Sequence, residues 1–385
     1  MTLEMVELKD VCEVVAGQSP PSKTYNDKGI GYPFFQGKAD FGFLSPKVRI
    51  WCSAPKKIAH PNDILISVRA PVGPTNLCNV EAAIGRGLSA VRPSNKLDSM
   101  FLLHFLRSYA PILASKGTGS TFSAVTQKDI KNIQIPLPPI KIQKQIVEFL
   151  DRAQALIDKR KEQIALMDQL VQSLFYDMFG DPVANPMGWD VKSLGDVGHL
   201  ERGKSKHRPR NAPKLLGGKY PLIQTGDIAK TGFYVREYSQ TYSELGLAQS
   251  KMWKKGTLCI TIAANIAKTA ILNFDACFPD SIVAFLPSEE IENMYVQLWF
   301  SFLQKIIEAD APESAQKNIN LKILNNLKIP VPPITLQKKF AKRVQKIEAQ
   351  KTAMAASLQE LKNNFNSLMQ RAFKGELPHD KGILK

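Results

Sequence analysis

The sequence predicts an α+β protein in which two repeated mixed α/β units are separated by two long antiparallel coiled-coil helices, with a pseudo-twofold axis relating the halves. Three observations support this fold class. The chain has 385 residues, well above the length of a typical single domain. One sequence block recurs 194 positions downstream. Each copy of that block is followed by about 40 residues with the apolar spacing of a heptad repeat.

The clearest repeated segment is a double-proline block. Ile133-Gln-Ile-Pro-Leu-Pro-Pro-Ile140 reappears as Leu327-Lys-Ile-Pro-Val-Pro-Pro-Ile334. Without a gap, the same offset pairs Gln143 with Gln337. A period of this length indicates that a whole structural unit is duplicated. We therefore expect the order unit, helix, unit, helix.

Strands and helices are predicted within each unit. Asp63–Val68 and Leu258–Ile262 are β-branched runs bounded by turn residues, which predicts strands. Met100–Leu113 and Met294–Ile307 carry apolar residues at helical spacing, which predicts helices. The prolines that follow end any preceding helix or strand, because proline lacks an N–H and restricts the residue before it.

Each long helix carries an apolar seam that steps by three or four residues. About 40 residues correspond to a helix of roughly 60 Å. We expect the two helices to pack on each other in antiparallel orientation and to hold one unit at each end. The residues predicted to pack between the helices are Ile142, Ile146, Phe149, Leu156, Met167, Leu174, Leu336, Phe340, Ile347, Leu361 and Leu368.

The repeat and the helices together predict the domain boundaries. The first unit covers residues 1–139, and the first helix covers 140–181. The second unit covers 182–333, and the second helix with a tail covers 334–385.

Composition limits the compartment and the partners. The net charge of +16 favours a polyanionic partner. Apolar runs end well before the ~20 residues of a membrane span, and the first residues lack the layout of a secretory signal. The five cysteines are far apart without a CxxC pair, which argues against a disulfide framework or a zinc cage. We expect a cytoplasmic protein with no membrane contact, metal or cofactor.

A nucleotide-dependent enzyme is the alternative hypothesis. Gly198-His-Leu-Glu-Arg-Gly-Lys-Ser205 matches the phosphate-loop pattern. A true phosphate loop follows a buried strand and opens a helix, whereas the segment Lys206–Pro213 contains two prolines. The matching site Cys12–Ser19 in the first unit also lacks the first glycine and the lysine. Nucleotide binding therefore ranks below nucleic-acid binding, and a solitary coiled-coil adaptor is a third alternative.

The same segment is better interpreted as a basic loop at the entrance of the second unit. Such a loop can follow phosphates or donate hydrogen bonds to guanine, although it could also be an ordinary solvated loop. Its cationic and imidazole side chains are Lys204, Lys206, His207, Arg208, Arg210 and Lys214.

Motifs for catalysis are missing from the sequence. Adenine methylation needs an Asn/Asp-Pro-Pro-aromatic site, and Asn185-Pro-Met-Gly lacks both the second proline and the aromatic residue. The five histidines are scattered along the chain. We therefore predict a protein without a catalytic site of its own.

Two variable units, each followed by I-x-I-P-x-P-P and a heptad helix, resemble the specificity subunit of a type I restriction-modification system. Other family-like segments are Leu8-x-Asp-Val, Ala16-Gly-Gln-Ser-Pro20, Val68-Arg-Ala-Pro-Val-Gly73 and Ser314-Ala-Gln-Lys-Asn-Ile-Asn320. The resemblance covers essentially the whole chain. It implies two target-recognition domains, each reading half of a split double-stranded DNA sequence.

The resemblance also implies partners. Two adenine methyltransferase subunits would bind the helices, and an ATP-dependent restriction subunit would join them, so that catalysis belongs to the partners. One segment departs from the pattern: Ser120-Thr-Phe-Ser-Ala-Val-Thr126 keeps only the serine and the hydrophobic positions of its counterpart at Ser314. The two units are therefore expected to read different half-sites.

Polar loop residues are the candidates for DNA contact, because Lys and Arg pair with phosphate or guanine and Gln and Asn pair with adenine. In the first unit they are Gln18, Lys23, Lys38, Arg69 and Arg86. In the second unit they are Lys204, Lys206, Arg208, Arg210, Lys230 and Asn265.

Overall fold

The structure is a computed structural model that describes residues 4–116, 124–263, 267–310 and 320–376, with backbone alone for 303–310. Contacts divide the chain into two compact units. Unit 1 comprises Met1–Lys161 and Ala356–Lys385, and unit 2 comprises Glu162–Ala355. The division passes through both long helices, so each of these helices contributes residues to both units.

The elements of unit 1 alternate short strands with helices. Its strands are β1 (Met5–Glu7), β2 (Cys12–Ala16), β3 (Tyr25–Asn26), β4 (Tyr32–Phe35), β5 (Trp51–Cys52), β6 (Ile58–Ala59), β7 (Ile64–Ser67), β8 (Thr75–Leu77), β9 (Ala82–Ile84), β10 (Leu88–Pro93) and β11 (Gln134–Pro136). Its helices are α1 (Leu8–Val11), α2 (Ser99–Ser115) and α3 (Gln127–Lys131), with 3-10 turns at Ser22–Thr24 and Lys38–Asp40. The first long helix, α4 (Ile140–Phe179), begins directly after the double proline.

Unit 2 follows a similar order, with two additional short helices among its strands. Its strands are β12 (Val191–Ser193), β13 (Gly198–Arg202), β14 (Leu216–Leu222), β15 (Tyr234–Val235), β16 (Gln240–Tyr242), β17 (Met252–Trp253), β18 (Leu258–Thr261), β19 (Thr269–Leu272), β20 (Ala276–Cys277), β21 (Ile282–Pro287) and β22 (Lys328–Pro330). Its helices are α5 (Leu194–Val197), α6 (Thr225–Lys230), α7 (Glu244–Ala248), α8 (Asn293–Asp310) and α9 (Leu321–Asn326), with a 3-10 turn at Pro213–Leu215. The second long helix is α10 (Ile334–Lys374).

The central sheets of the two units share one topology. The central sheet of unit 1 has the order β2-β10-β7-β8, and that of unit 2 has the order β13-β21-β18-β19 with β15 added at its edge. A second sheet in each unit contains a parallel pair, β4 with β9 and β14 with β20. The predicted α+β fold of two repeated mixed units with two long helices is confirmed.

Each central strand is buried on both faces. In β7, Ile64 and Ile66 point into a core formed with α2, while Leu65 points into a smaller core beneath the second sheet. Successive side chains of a strand alternate between faces, so a strand covered on both sides needs an uninterrupted apolar run. This explains why the sequence at these strands is apolar throughout rather than alternating.

A buried glutamine fixes the start of α4. The Gln143 side chain is fully buried. Its Oε1 accepts a hydrogen bond from Asp98 N at 2.8 Å, and its Nε2 donates to Lys96 O at 2.9 Å and Pro138 O at 2.8 Å. One amide thereby joins the long helix, the double-proline segment and the turn before α2.

The same junction recurs at the start of α10. Gln337 is also fully buried. It accepts from Glu292 N at 2.9 Å and donates to Glu290 O at 3.1 Å and Pro332 O at 2.6 Å. Every partner lies 194 positions after its counterpart at Gln143, so the duplication extends to single hydrogen bonds.

Within unit 2 the two long-helix segments are antiparallel. The rings of Phe175 and Phe179 lie 5.8 Å and 5.2 Å from the ring of Phe340, near the start of α10. Earlier on α4, Asp168 forms an ion pair with Lys351, later on α10. Because higher residue numbers on one helix meet lower numbers on the other, the segments run in opposite directions.

Most residues predicted for the helix seam are at least partly buried. Ile142, Ile146 and Leu368 belong to the unit 1 core, and Leu174, Leu336, Phe340 and Ile347 belong to the unit 2 core. Phe149, Met167 and Leu361 are partly buried.

The prediction for Leu156 is wrong, because this side chain is 55% exposed whereas the neighbouring Ile157 is 3% exposed. Leu150 is buried in the unit 1 core. Ile157 lies two helical turns beyond Leu150 on the same face, and Leu156 is rotated about 100° away. The adjacent apolar pairs at 149–150 and 156–157 left this register ambiguous in the sequence.

None of the helices in the described ranges is long and apolar enough to cross a membrane.

We predict that Gln337→Ala lowers the free energy of unfolding of unit 2 by about 3 kcal/mol, because it removes a fully buried amide and leaves one N–H and two carbonyls without that partner. Denaturant unfolding of the full chain measures this. Gln350→Ala, on an exposed position of the same helix, is the control and should change stability by less than about 0.5 kcal/mol. Equal effects of the two substitutions would contradict the role of the buried amide.

Candidate nucleic-acid interface

In unit 1, loops converge where β2 ends and β10 begins. Gly17 N donates to Leu88 O at 2.9 Å, and Gln18 N donates to Ile84 O at 3.0 Å. A Cβ on Gly17 would lie 2.2 Å from Gly85 O. Only glycine therefore permits the loop after β2 to cross the turn before β10 so closely.

Two further loops join this crossing. Gly85 N donates to Phe35 O at 2.8 Å, which brings in the loop after β4. Val68 N donates to Gly87 O at 3.0 Å, which brings in the loop after β7. We call these segments, residues 17–24, 36–38, 69–73 and 85–87, the loop edge of unit 1.

The predicted DNA-contact residues of unit 1 all lie on this loop edge. Gln18 and Lys23 are on its first segment, and Lys38, Arg69 and Arg86 are on the others. All five are exposed. Within the described part of the chain, none of the four cations has an ion-pair partner. Their donors are therefore available to phosphate or base edges.

Unit 2 has a matching crossing. Gly203 N donates to Ile282 O at 2.9 Å. A Cβ on Gly203 would lie 2.4 Å from both Phe278 O and Pro279 O. The crossing is equivalent to that at Gly17. We call residues 203–214, 224–226 and 278–281 the loop edge of unit 2.

The basic loop of unit 2 is held in place by the segment after α7. Ser250 Oγ donates to Lys204 O at 2.8 Å, and His207 N donates to Gln249 Oε1 at 3.0 Å. The side chains of Lys204 and Lys206 are exposed. Among the residues with described coordinates, neither forms an ion pair.

Arg208 and Arg210 differ from the other predicted residues because both contact Asp280. Nη2 of Arg208 lies 3.4 Å from Asp280 Oδ2, and its Nη1 donates to Ser205 O at 2.5 Å. Nη2 of Arg210 pairs with Asp280 Oδ1. Sequence reasoning missed Asp280, although the offset of 194 places it at the position of Arg86.

Lys230 lies further from the crossing, at the end of α6. The first turn of α6 is equivalent to the 3-10 turn at Lys38, since Gln224 N donates to Asp227 Oδ2 at 2.8 Å and Gln36 N donates to Asp40 Oδ2 at 2.7 Å. Lys230 itself is exposed.

Asn265 lies outside the described residues, as do residues 120–123 and 314–319 of the two family-like segments. Their predicted roles therefore stay predictions.

The phosphate-loop hypothesis has no support in the local structure. Gly198–Arg202 is itself a strand, β13, in which Gly198 is opposite Pro287 of β21. The described segment that follows, 203–212, contains no helix. Without a helix N-terminus after the glycine, the amides and dipole that hold a phosphate are not assembled.

The cysteines are poorly placed to act as nucleophiles. The five cysteines are buried and free. Burial raises the pKa of Cys12 to about 12 and that of Cys78 to about 11, so both thiols stay protonated at neutral pH. Across the described residues, no group of three or more His, Cys, Asp or Glu side chains could hold a metal ion.

Comparison with known families decides between the remaining interpretations. The family model "Type I restriction modification DNA specificity domain" matches residues 2–166 and 186–363, one match in each half of the chain. The chain belongs to this family. It is a type I DNA specificity protein with two recognition domains, and specificity subunits of this kind are generally non-catalytic.

Two relatives are from Methanocaldococcus jannaschii. The putative type I restriction enzyme MjaX specificity subunit is 41% identical over 177 residues, which is 44% of this chain and 42% of that protein. The first of these matches thus spans less than half of either protein. The type I restriction enzyme MjaIX specificity subunit is 23% identical across 97% of this chain and 93% of its own length.

A solved structure supports the fold. It is described as "Structural basis underlying complex assembly and conformational transition of the type I R-M system", and it matches with a TM-score of 0.68 at 21% identity. The match covers 98% of both chains. At this identity the likeness shows the fold alone.

We predict that Lys204→Ala and Lys206→Ala each reduce the slope of log affinity against log salt concentration by about one, because each removes a cation that can neutralise one phosphate. The measurement is titration of duplex DNA with the full chain at several salt concentrations.

The matched control is Lys255→Ala. Lys255 is exposed and precedes the start of β18, whereas the other end of that strand, Thr261, pairs with Ile282 beside the loop edge. For Lys255→Ala, the slope of log affinity against log salt concentration should equal that of the unaltered protein. Slopes that stay unchanged for both loop variants would exclude phosphate contacts by the basic loop.

Proposed function

We propose that each unit of this specificity protein reads one half of a bipartite, asymmetric double-stranded DNA target. We propose further that the long helices set the spacing between the halves and bind two methyltransferase subunits. The observation that carries this proposal is the repeated loop edge, which is built on the same glycine crossing in both units and presents cations in both.

The chemistry of the loop edges fits duplex DNA. Arg69 and Arg86 have unpaired guanidinium groups among the described residues, and arginine reads guanine through O6 and N7. Gln18 can pair with adenine in the same way. Lys23 and Lys38 supply point charges for phosphates. The loop edge of unit 1 therefore carries donors for DNA bases as well as charges for DNA phosphates.

Different side chains on equivalent positions support different half-sites. Arg86 of unit 1 is replaced by Asp280 in unit 2, and the arginines of unit 2 come from the loop after β13 instead. Two recognition surfaces with the same backbone and different donors would accept different base sequences. A target with unlike halves follows from this difference.

Helix length supports a role in spacing. The helices α4 and α10 have 40 and 41 residues, which corresponds to about 60 Å each. Each belongs to the cores of both units, since Ile146 and Val171 of α4 are buried in different cores. A change in helix length should therefore alter the spacing of the target and not be absorbed by a loose linker.

Exposed apolar residues on α4 support a docking role. Leu166 and Leu170 are 49% and 47% exposed, and residues four apart lie on one helix face. A helix of a methyltransferase subunit is the partner we propose for this face. In the assembled cytoplasmic complex, adenine methylation would belong to the methyltransferase subunits, and ATP-dependent DNA cleavage would belong to restriction subunits that join them.

We predict that lengthening both helices changes the target spacing. Four residues inserted between Lys161 and Glu162, together with four between Ala355 and Ala356, lengthen each helix by about 6 Å. This is close to two base pairs at about 3.4 Å each. The methylated sequence should keep both halves while its spacer grows by about two base pairs. Genome-wide mapping of methyladenine, in cells that express the chain with its methyltransferase, measures the spacer.

The control carries the insertion in α4 alone. Lengthening α4 alone puts it out of register with α10. Contacts on the two sides of the insertion, such as the pair of Asp168 with Lys351 and the core packing of Ile146, can then not all be kept. We expect this variant to lose methylation. A double insertion that methylates the original spacer would contradict the role of helix length.

A further inference from the structure

Asp280 occupies a central place on the loop edge of unit 2. It lies two residues before β21, beside the crossing at Gly203. Its side chain is 35% exposed, and its two carboxylate oxygens accept from two different arginines, Arg208 and Arg210. Both arginines belong to the basic loop, so one carboxylate connects that loop to the central sheet.

The geometry leaves part of each guanidinium available. Arg210 uses only Nη2 on Asp280, and among the described residues its Nε and Nη1 have no partner. A guanidinium has five N–H donors in one plane. Nη2 carries a second hydrogen. Arg210 can therefore remain on the carboxylate and present that hydrogen, together with one from Nε or Nη1, to two acceptors, such as O6 and N7 of a guanine.

Holding an arginine before binding favours recognition of one base. A free arginine side chain loses rotamer freedom when it pairs with a base, and a side chain that is already held loses less. A fixed guanidinium plane also restricts which acceptor pair it can meet. The carboxylate thus affects which base is accepted as well as how strongly DNA is bound.

We propose that Asp280 is a positioning residue that sets a preference for guanine in the half-site read by unit 2, by holding Arg208 and Arg210. This inference rests on the proposed function and adds to it the base class that unit 2 recognises. In unit 1 the equivalent position is Arg86, which carries the donors itself. The same position in the fold therefore serves opposite chemical roles in the two units.

A purely electrostatic role for Asp280 makes a different prediction. A carboxylate at a DNA-facing edge repels phosphates, so its removal would tighten binding to every sequence evenly. Under the positioning role, its removal lowers the ratio of target affinity to mismatched affinity. The ratio separates the two roles, whereas the absolute affinity does not.

The experiment uses the full chain assembled with its methyltransferase subunits. Methyladenine mapping first defines the two half-sites of the unaltered complex, and Arg86→Ala identifies the half read by unit 1. Affinities are then measured for duplexes that carry the target or a replaced guanine in the other half. Asp280→Ala should reduce the target-to-mismatch ratio about 10- to 100-fold at that guanine. Asp280→Asn, which keeps one oxygen acceptor, should fall between this variant and the unaltered protein.

The matched control is Asp275→Ala, which removes the same charge from a carboxylate paired with Lys254 away from the loop edge. It should leave the ratio unchanged, and unfolding measurements should show that both variants are folded. An unchanged ratio for Asp280→Ala, or a change confined to the half that Arg86→Ala alters, would overturn the inference. A half-site without guanine would do the same. If the unaltered complex methylates no two-part sequence, the proposed function fails first.

Discussion

The buried amide at the start of each long helix is the contact on which the architecture depends. Gln143 and Gln337 each satisfy one backbone N–H and two backbone carbonyls from segments far apart in sequence. Buried polar groups are costly when they lack partners. These three hydrogen bonds therefore fix the direction in which the helix continues from the double-proline segment. The sheet, α2 or α8, and the helix are thereby joined as one body within each unit.

The rest of each unit combines a constant backbone with variable side chains. The glycine crossing, the sheet order and the buried strands are the same in both copies, because they are determined by close backbone approach and by two-sided burial. The exposed positions on top of that backbone differ, and Arg86 against Asp280 is the clearest case. Duplication has kept the contacts that fold the chain and changed those that face outward. This is the pattern expected of a protein whose two halves recognise different sequences.

Much of this organisation could be predicted from the sequence, since it depends on local or periodic signals. The repeat, the double prolines and the heptad spacing are visible in the residues, and they predicted the order of elements and the long helices. The register of α4 was harder, because Leu156 and Ile157 are both apolar and only packing around Leu150 selects between them. The partnership of Asp280 with Arg208 and Arg210 was missed, since an ion pair across some 70 positions follows from the folded backbone and leaves no periodic trace in the sequence.

From the sequence, the DNA-contact residues of the loop edges could be proposed only as a group of candidates. Polar loop side chains outnumber those that meet at one place, and the sequence does not say which loops converge. In unit 1 the backbone hydrogen bonds of Gly17, Gly85 and Val68 bring the chosen loops together. In unit 2 the hydrogen bond of Gly203 places the basic loop at the equivalent crossing. The sequence had left two interpretations of this loop, because it also matches the phosphate-loop pattern.

The crossing and the amide junction lie at opposite ends of the same strand. In unit 1, β10 begins at Leu88, which bonds to Gly17, and ends at Pro93, shortly before Lys96, which bonds to Gln143. Six residues of strand separate them by about 20 Å. Mutations in the exposed loops are therefore far from the Gln143 junction and should not change the orientation of the helix. Substitutions in the loops at one end of the strand can therefore accumulate without disturbing the start of the long helix at the other end.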